Sequence, residues 1–423
     1  MSNINKVAII GLGYVGLPLA IAMAENNKVI GYDIQEKRVH QLIQGYDQNS
    51  EVSSESLANK NLTWSLNPED IRNANFYIIT VPTPVGALNK PDLSSILSAS
   101  RTVGKQLKPG SIVIYESTVW PGLTEEKCIP ELENSSGLKW RESFNVGYSP
   151  ERINPGDTEH TLKNITKIVA GDTEETTKQI SELYATINGN NIYNTPDIRT
   201  AEAAKVIENA QRDINIAFVN EVAQICHKLG LSSASVLEAA STKWNFLNFS
   251  PGLVGGHCIG VDPYYLAYRA EQAGHRPEVI LAGRYLNDGM SDFISSHLND
   301  KIVAPNSHIL VLGLTFKKNV SDLRNSLTAN IVKFLEKAGH FVDVYDPLAN
   351  HEEANALYGI ELIENIDFKK SYDCVIGAVS HDNFVQLPIE HILGLLKEGG
   401  LLADIPGIWK QYPIPPKYLR WQL

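Results

Sequence analysis

The sequence predicts an α/β protein in which two Rossmann-like, doubly wound domains are joined by a central helical region. Three observations predict it. Apolar runs of strand length alternate with helical stretches from residue 1 to about 200, and the same alternation resumes near Ala304. A glycine fingerprint follows the first strand. Between the alternating regions, about Thr200 to Leu229, lies a helical stretch with no proline or glycine. The expected domains are residues 1–200, 201–300 and 301–423, in keeping with the two or three that 423 residues can form.

Lys6-Val-Ala-Ile-Ile10 reads as a buried parallel strand. Gly11-Leu12-Gly13-Tyr14-Val15-Gly16 follows, and Leu17–Ala24 begins a helix. In such a turn the first glycine allows the tight bend and the second lets the backbone approach a pyrophosphate. The third packs helix against strand, with the phosphate charge at the helix N-terminus. A turn that merely packs is the alternative reading. The next strand, Val29–Tyr32, ends in Asp33. A carboxylate there accepts both ribose hydroxyls and repels a 2′-phosphate, so NAD is expected over NADP. Arg38 keeps a 2′-phosphate partner in view.

Further strands are expected at Phe76–Val81, Ser111–Tyr115, Asn145–Tyr148 and Ile168–Ala170. Ligands of parallel sheets sit beyond the carboxyl ends of the strands. Thr83 and Thr118 are therefore placed to hydrogen-bond cofactor or substrate, unless they only cap the turns that follow. Ser149-Pro-Glu151-Arg152-Ile-Asn-Pro-Gly156 is a third such loop, with a carboxylate and a guanidinium side by side as candidate substrate contacts.

The long helix is apolar on more than one stripe, so it is expected to pack against a second copy as well as its own domain. Lys205 and Asn209, four residues apart, project from one face. An ammonium and a carboxamide aimed at one point suit a developing oxyanion; a solvated lysine beside a polar neighbour is the plainer reading. Gly252-Leu-Val-Gly255-Gly-His-Cys258-Ile-Gly-Val-Asp262 then places one thiol in a glycine-rich loop, a carboxylate four residues on. The backbone at Gly255 can close tightly on a ligand, and a nucleophile released by water needs access and a neighbouring acid–base group. With a hydride acceptor in the same chain, a cysteine nucleophile means oxidation through a thioester.

The third region repeats strand, turn and helix at His308–Gly313, with strands at Phe341–Asp346, Asp373–Ala378 and Gly400–Asp404. It lacks the dinucleotide glycines and suits a single nucleotide. Cysteines 128, 226, 258 and 374 are widely spaced without a CxxC, which argues against disulfides and structural zinc, and no metal is expected. The net charge of −11 has the wrong sign for nucleic acid. With no membrane-length apolar run and no signal peptide, a cytoplasmic enzyme is expected.

These motifs together resemble the UDP-glucose/GDP-mannose dehydrogenase family over essentially the whole chain. The matching residues are Gly11–Pro18, Glu116-Ser-Thr118, Ser149–Ile153, Lys205 with Asn209, the Cys258 loop, Thr315-Phe-Lys317 and Asp322-Leu-Arg324. Val261-Asp262, where the glucose-oxidising branch carries Lys-Asp, together with His257 and Pro263-Tyr-Tyr-Leu266, resembles the bacterial branch acting on UDP-N-acetylhexosamines for surface polysaccharides. The resemblance implies four-electron oxidation of C6 of UDP-GlcNAc or UDP-GalNAc by NAD, through a Cys258 thiohemiacetal and thioester, in a homodimer. It assigns Lys205 and Asn209 to the C6 oxyanion and Asp262 to Lys205 and an ordered water. Glu151 and Thr118 go to hydrolysis and to positioning of water or substrate. Lys317 goes to the substrate, Arg324 to the cofactor pyrophosphate, and Lys243 and Phe249 to the nucleotide. UDP-glucose or UDP-ManNAc as substrate, a single-step dehydrogenase with Cys258 a bystander, and a non-catalytic sensor of nucleotide sugars are the alternatives.

Overall fold

The computed structural model describes residues 5–48, 52–86, 89–152, 159–302 and 304–423. Contacts divide the chain into two compact units: Met1–Asn209 with Tyr264–Arg276, and Ala210–Pro263 with Pro277–Leu423. Both are built on a mainly parallel sheet, as the alternating pattern requires.

In the first unit the strands are β1 Lys6–Ile10, β2 Lys28–Tyr32, β3 Leu62–Ser65, β4 Phe76–Ile79, β5 Ser111–Tyr115, β6 Phe144–Tyr148, β7 Lys167–Gly171 and β8 Ile192–Asn194. Their order is β3-β2-β1-β4-β5-β6-β7-β8. The first six follow the dinucleotide-binding order, which reverses between β1 and β4. Every pairing is parallel except β6 with β7. β4 is apolar and buried throughout, and β1 and β5 are so apart from Lys6 and Ser111 at their starts, as strands of a parallel sheet buried on both faces require.

The second unit holds β9 His308–Leu312, β10 Phe341–Tyr345, β11 Tyr372–Gly377, β12 Leu396–Asp404 and β13 Leu419–Gln422, all parallel. Their order, β10-β9-β11-β12-β13, reverses between β9 and β11. Alternate residues of β9 enter different cores. Ile309 and Val311 pack with Ile331, Val332 and Leu335, whereas Leu310 and Leu312 pack with Ile392, Leu393 and Trp409. The α/β fold expected from the sequence, two Rossmann-like sheets with a central helical region, is the fold observed. β3, β8 and β13 were not expected; each is short and only partly buried.

One helix, Ile198–Leu229, runs unbroken for 32 residues, about 48 Å at the α-helical rise. Val206, Ala210, Ala217, Val219 and Ala223 are buried, while Ile207, Phe218, Ile225 and Leu229 are more than half exposed. Among the described residues no helix is long and apolar enough to cross a membrane.

The two sheets share a local device. Gly11, at φ +95°, and Gly313, at φ +98°, each turn the chain directly after the first strand of their sheet. Their N–H groups donate to the carbonyls of Tyr32 and Tyr345. The next residue closes the turn: Asp33 Oδ2 accepts Leu12 N–H at 2.7 Å, and Asp346 Oδ2 accepts Leu314 N–H at 2.6 Å. Asp346 also accepts from Thr315, Leu348 and Ala349, and lies 3.2 Å from His381 Nε2. Burial opposes its ionisation, but His381 and the N–H groups of Leu314 and Thr315 outweigh this and hold the carboxyl below its usual value.

Asp346→Ala should cost on the order of 3 kcal/mol, since it strands several buried donors. The urea midpoint measures it. Because the folded carboxyl is the stronger acid, its contribution is present above about pH 4 and fades as pH falls further. The gap between wild type and variant should narrow there.

Candidate active site

In the first unit the glycine loop lies at the carboxyl end of β1, where the strand order reverses. A Cβ at Gly16 would stand 1.9 Å from the Gly11 carbonyl oxygen and 2.4 Å from Thr80 Oγ1, so only glycine allows this helix start. A Cβ at Gly13 would meet nothing within 4 Å. Gly13, Tyr14 and Val15 stay at least partly exposed at the N-terminus of helix Gly16–Ala24. This open cradle of backbone at a helix N-terminus, with Asp33 at the end of β2, fits a dinucleotide. Arg38, by contrast, is buried. Its Nε donates to the Leu12 carbonyl at 2.8 Å and its Nη1 pairs with Asp47 at 2.7 Å. It braces the glycine loop from inside and does not stand open to a 2′-phosphate.

The other loops of this unit are cross-tied. Thr83 donates its hydroxyl to the Thr118 carbonyl at 2.7 Å, and Tyr265 donates to the Thr83 carbonyl at 2.9 Å. Glu151 is buried near Glu116. Lys167 Nζ lies 2.8 Å from Glu116 Oε2 and donates to the Pro150 carbonyl at 3.2 Å, while Tyr184 donates to Glu116. Burial pushes the Glu116 carboxyl up, Lys167 pulls it down and Glu151 adds to the rise. Arg152 is engaged by Glu208 at 2.9 Å and by the Thr166 carbonyl at 2.9 Å. Ile153 to Gly156 of this loop lie outside the described residues. On the long helix Lys205 is buried and Asn209 half-buried.

In the second unit, Cys258 is partly exposed, whereas Cys226 and Cys374 are buried, as is Cys128 in the first unit. Burial pushes the Cys128 thiol up to about 12. Gly255 and Gly256 let the Cys258 loop press against the segment after β9. A Cβ at Gly255 would stand 2.6 Å from the Asn325 carbonyl oxygen, and one at Gly256 would stand 2.7 Å from the Phe316 ring. Asn325 Nδ2 donates to the Gly256 carbonyl at 2.9 Å. Beyond the cysteine, the N–H of buried Asp262 donates to the Cys258 carbonyl at 2.8 Å.

A cavity of about 250 Å³ opens at the carboxyl ends of β9 and β11, where this sheet's order reverses. Gly255 and Lys317 line it, as do Thr315, Lys318, Thr328 and Ser380, which the sequence did not mark out as ligands. Hydroxyls and two ammonium groups suit a phosphorylated ligand. Lys243 is exposed, Phe249 half-buried, and neither lines the cavity. Arg324 Nη2 pairs with Asp322 at 2.7 Å. Among the described residues no group of three or more His, Cys, Asp or Glu could hold a metal ion.

The start of the cysteine loop is clamped from the long helix by a residue the sequence gave no reason to single out. Asn220 Oδ1 accepts the Gly252 N–H at 2.7 Å and its Nδ2 donates to the Gly252 carbonyl at 3.0 Å. The same amide donates to Asn287 Oδ1 at 2.8 Å. Asn287 donates to Asp213 Oδ1 at 2.7 Å, and Asp213 pairs with the fully buried Arg284 at 2.5 Å.

Three family models match the chain. They are the NAD-binding, central and UDP-binding domains of the UDP-glucose/GDP-mannose dehydrogenase family, at residues 5–188, 199–289 and 310–411. Protein CapL of Staphylococcus aureus is 47% identical over 99% of this chain and 100% of its own length. UDP-N-acetyl-D-glucosamine 6-dehydrogenase of Salmonella typhi is 47% identical over 95% of each. The structure of UDP-D-ManNAc dehydrogenase from Pyrococcus horikoshii superposes with a TM-score of 0.86 at 31% identity, covering 98% of both chains.

Asn220→Ala should loosen the cysteine loop without unfolding the helix. Hydrogen exchange at the Gly252 amide should rise at least roughly tenfold, as loss of about 1.4 kcal/mol of local protection allows. Unchanged exchange there would remove the clamp.

Proposed function

We propose, on the premise that the chain belongs to the UDP-glucose/GDP-mannose dehydrogenase family and is an NAD-dependent nucleotide-sugar 6-dehydrogenase, that its substrate is a UDP-N-acetylhexosamine. UDP-GlcNAc or UDP-GalNAc is oxidised at C6 to the uronic acid, for a surface polysaccharide, and Cys258 carries the half-oxidised sugar. One observation carries this reading. The partly exposed thiol sits in a loop whose Gly255 lines the cavity at the carboxyl end of the second sheet. The Salmonella typhi relative named for UDP-N-acetyl-D-glucosamine supports the substrate class.

Gly11, Gly13, Tyr14, Val15, Gly16 and Asp33 hold NAD, with Thr83 and Thr118 in the loops beside them. When bound, NAD supplies the acceptor for two hydrides in turn. Lys317 holds the nucleotide sugar. Cys258 sulfur bonds to C6 at the aldehyde stage, and the C6 oxygen gains a proton to give a thiohemiacetal. Loss of a hydride and of that proton leaves a thioester. Water then adds its oxygen to C6, and the C–S bond breaks with its electron pair returning to sulfur. Lys205 and Asn209 serve the C6 oxyanion, and Asp262 serves an ordered water. Glu151 and Thr118 serve hydrolysis and the placing of water or substrate.

The exposed apolar stripe of the long helix supports a homodimer. Ile207, Phe218, Ile225 and Leu229 recur at intervals that keep them on one face, and a second copy of the same face can cover it. Phe218→Asp should convert a dimer in sedimentation velocity into a monomer; a wild-type monomer would sink the idea.

A coupled assay over UDP-glucose, UDP-GlcNAc, UDP-GalNAc and UDP-ManNAc tests the activity. Two NADH per sugar are expected with a UDP-N-acetylhexosamine. One NADH would mean a single-step dehydrogenase, and none a sensor. Cys258→Ser should abolish uronate release, and release at the wild-type rate would exclude the thioester.

A further inference from the structure

β7 runs antiparallel to β6, so it begins at the edge of the sheet where β6 ends and the Ser149–Arg152 loop starts. There the start of β7 grips that loop at three points. Ser149 Oγ donates to the Ile168 carbonyl at 2.7 Å. Lys167 Nζ donates to the Pro150 carbonyl at 3.2 Å, and Arg152 Nη1 donates to the Thr166 carbonyl at 2.9 Å. Buried Glu151 is thus held through its neighbours on both sides. The Pro150 carbonyl and the Glu151 N–H belong to one planar peptide, so fixing the carbonyl fixes the plane from which Glu151 departs. Proline, with φ locked, adds to the rigidity.

Lys167 does more than close this loop. It is buried, and its ammonium lies 2.8 Å from Oε2 of Glu116, the residue directly after β5. Tyr184 donates its hydroxyl to Glu116 Oε1, and Lys167 Nζ stands 5.0 Å from the centre of the Tyr184 ring. One buried cation therefore ties the end of β5 to the loop after β6. Those two loops carry Thr118 and Glu151. The residues that follow Lys167 in β7, Ile168, Val169 and Ala170, are apolar and buried. An apolar residue at 167 would continue that pattern without the desolvation that a buried ammonium costs. The value of the charge is therefore positional.

We propose that Lys167 is a positioning residue: its ammonium, anchored on Glu116, holds the Pro150–Glu151 peptide so that the Glu151 carboxylate meets the water that releases the uronate. The proposal rests on the reading of Glu151 as serving hydrolysis. Glu151 and Glu116 are close enough to repel, and Lys167 favours the charged form of Glu116 against that repulsion and against burial.

The alternative is that the Lys167–Glu116 pair only holds the fold. A single turnover separates the two, because both hydrides leave before water enters. Full-length enzyme is used in excess over whichever UDP-sugar of the panel wild type oxidises, with ample NAD. NADH is followed by stopped-flow absorbance, the sugar–enzyme adduct by mass after acid quench, and uronate by chromatography. Lys167→Met keeps a long side chain but has no donor. Its NADH should form at the wild-type rate while uronate release slows on the order of 10²-fold, as an ångström of misplacement can cost. The adduct should accumulate. Release at the wild-type rate overturns the proposal, and so does equal slowing of NADH formation and release.

Lys167→Met leaves the Glu116 carboxylate buried without its cation, which endangers folding. The double variant Lys167→Met with Glu116→Gln removes both charges together. It still lacks the ammonium donor to Pro150 and should show the same slow release; recovery of the wild-type rate there assigns the pair to the fold alone and overturns the proposal. Failure of the underlying reading would look different, as Glu151→Gln protein that still releases uronate at the wild-type rate.

Discussion

The sharp turn after the first strand of each sheet is the constraint on which the rest of the molecule depends. A parallel sheet sends its loops to one edge, and the strand order reverses beside its first strand. At that point the chain must bend at once to leave room for a ligand. Gly11 and Gly313 supply the left-handed backbone, and Asp33 and Asp346 accept the N–H exposed by the bend. In the first unit the turn opens at Gly13 and Asp33 keeps a short polar boundary. In the second unit Asp346 is sealed by His381, and the loop beyond it carries Thr315, Lys317 and Lys318 to the cavity. One device thus gives two differently shaped loop edges.

The cysteine loop is held differently, by buried polar groups. The Asp213–Arg284 pair and the amides of Asn287 and Asn220 lie in the interior of the second unit. A buried ion pair is weak evidence for stability, because desolvation offsets most of its attraction. Its value here is positional. The chain of hydrogen bonds ends on both backbone groups of Gly252, six residues before the thiol, and an apolar replacement could pack as well without fixing that backbone. From the other side, Gly255 and Gly256 bring the loop against Phe316 and Asn325. The thiol is partly exposed, yet its loop is rigidly registered.

Charge is placed locally in a molecule whose net charge is −11. An anionic ligand gains nothing from that overall field, and the two ammonium groups that line the second unit's cavity, Lys317 and Lys318, are its local positive charge. Two other cations anticipated as ligands are engaged within the protein, Arg38 buried and Arg152 partly exposed. Arg38 and Arg152 each satisfy a carboxylate and a backbone carbonyl, and so shape the loops that expose the ligand-facing groups.

The sequence by itself determined the sheet order's raw material, the glycine turn, Asp33 and the position of Cys258. Each is written in neighbouring residues: apolar runs of strand length, glycines at fixed offsets, a thiol among glycines. The observed strands begin and end within about two residues of those expected, apart from β12, which starts earlier, at Leu396. Short strands such as Leu62–Ser65 escaped because one partly buried face leaves too weak a pattern. What only the tertiary structure decided was partnership. Arg38 found Asp47, Arg152 found Glu208, Asn220 found Gly252, and His257 found Asp322. Side-chain chemistry limits which pairs can form, but three-dimensional packing chooses among them, since it alone brings distant residues within hydrogen-bonding reach and strips away the water that would otherwise satisfy them.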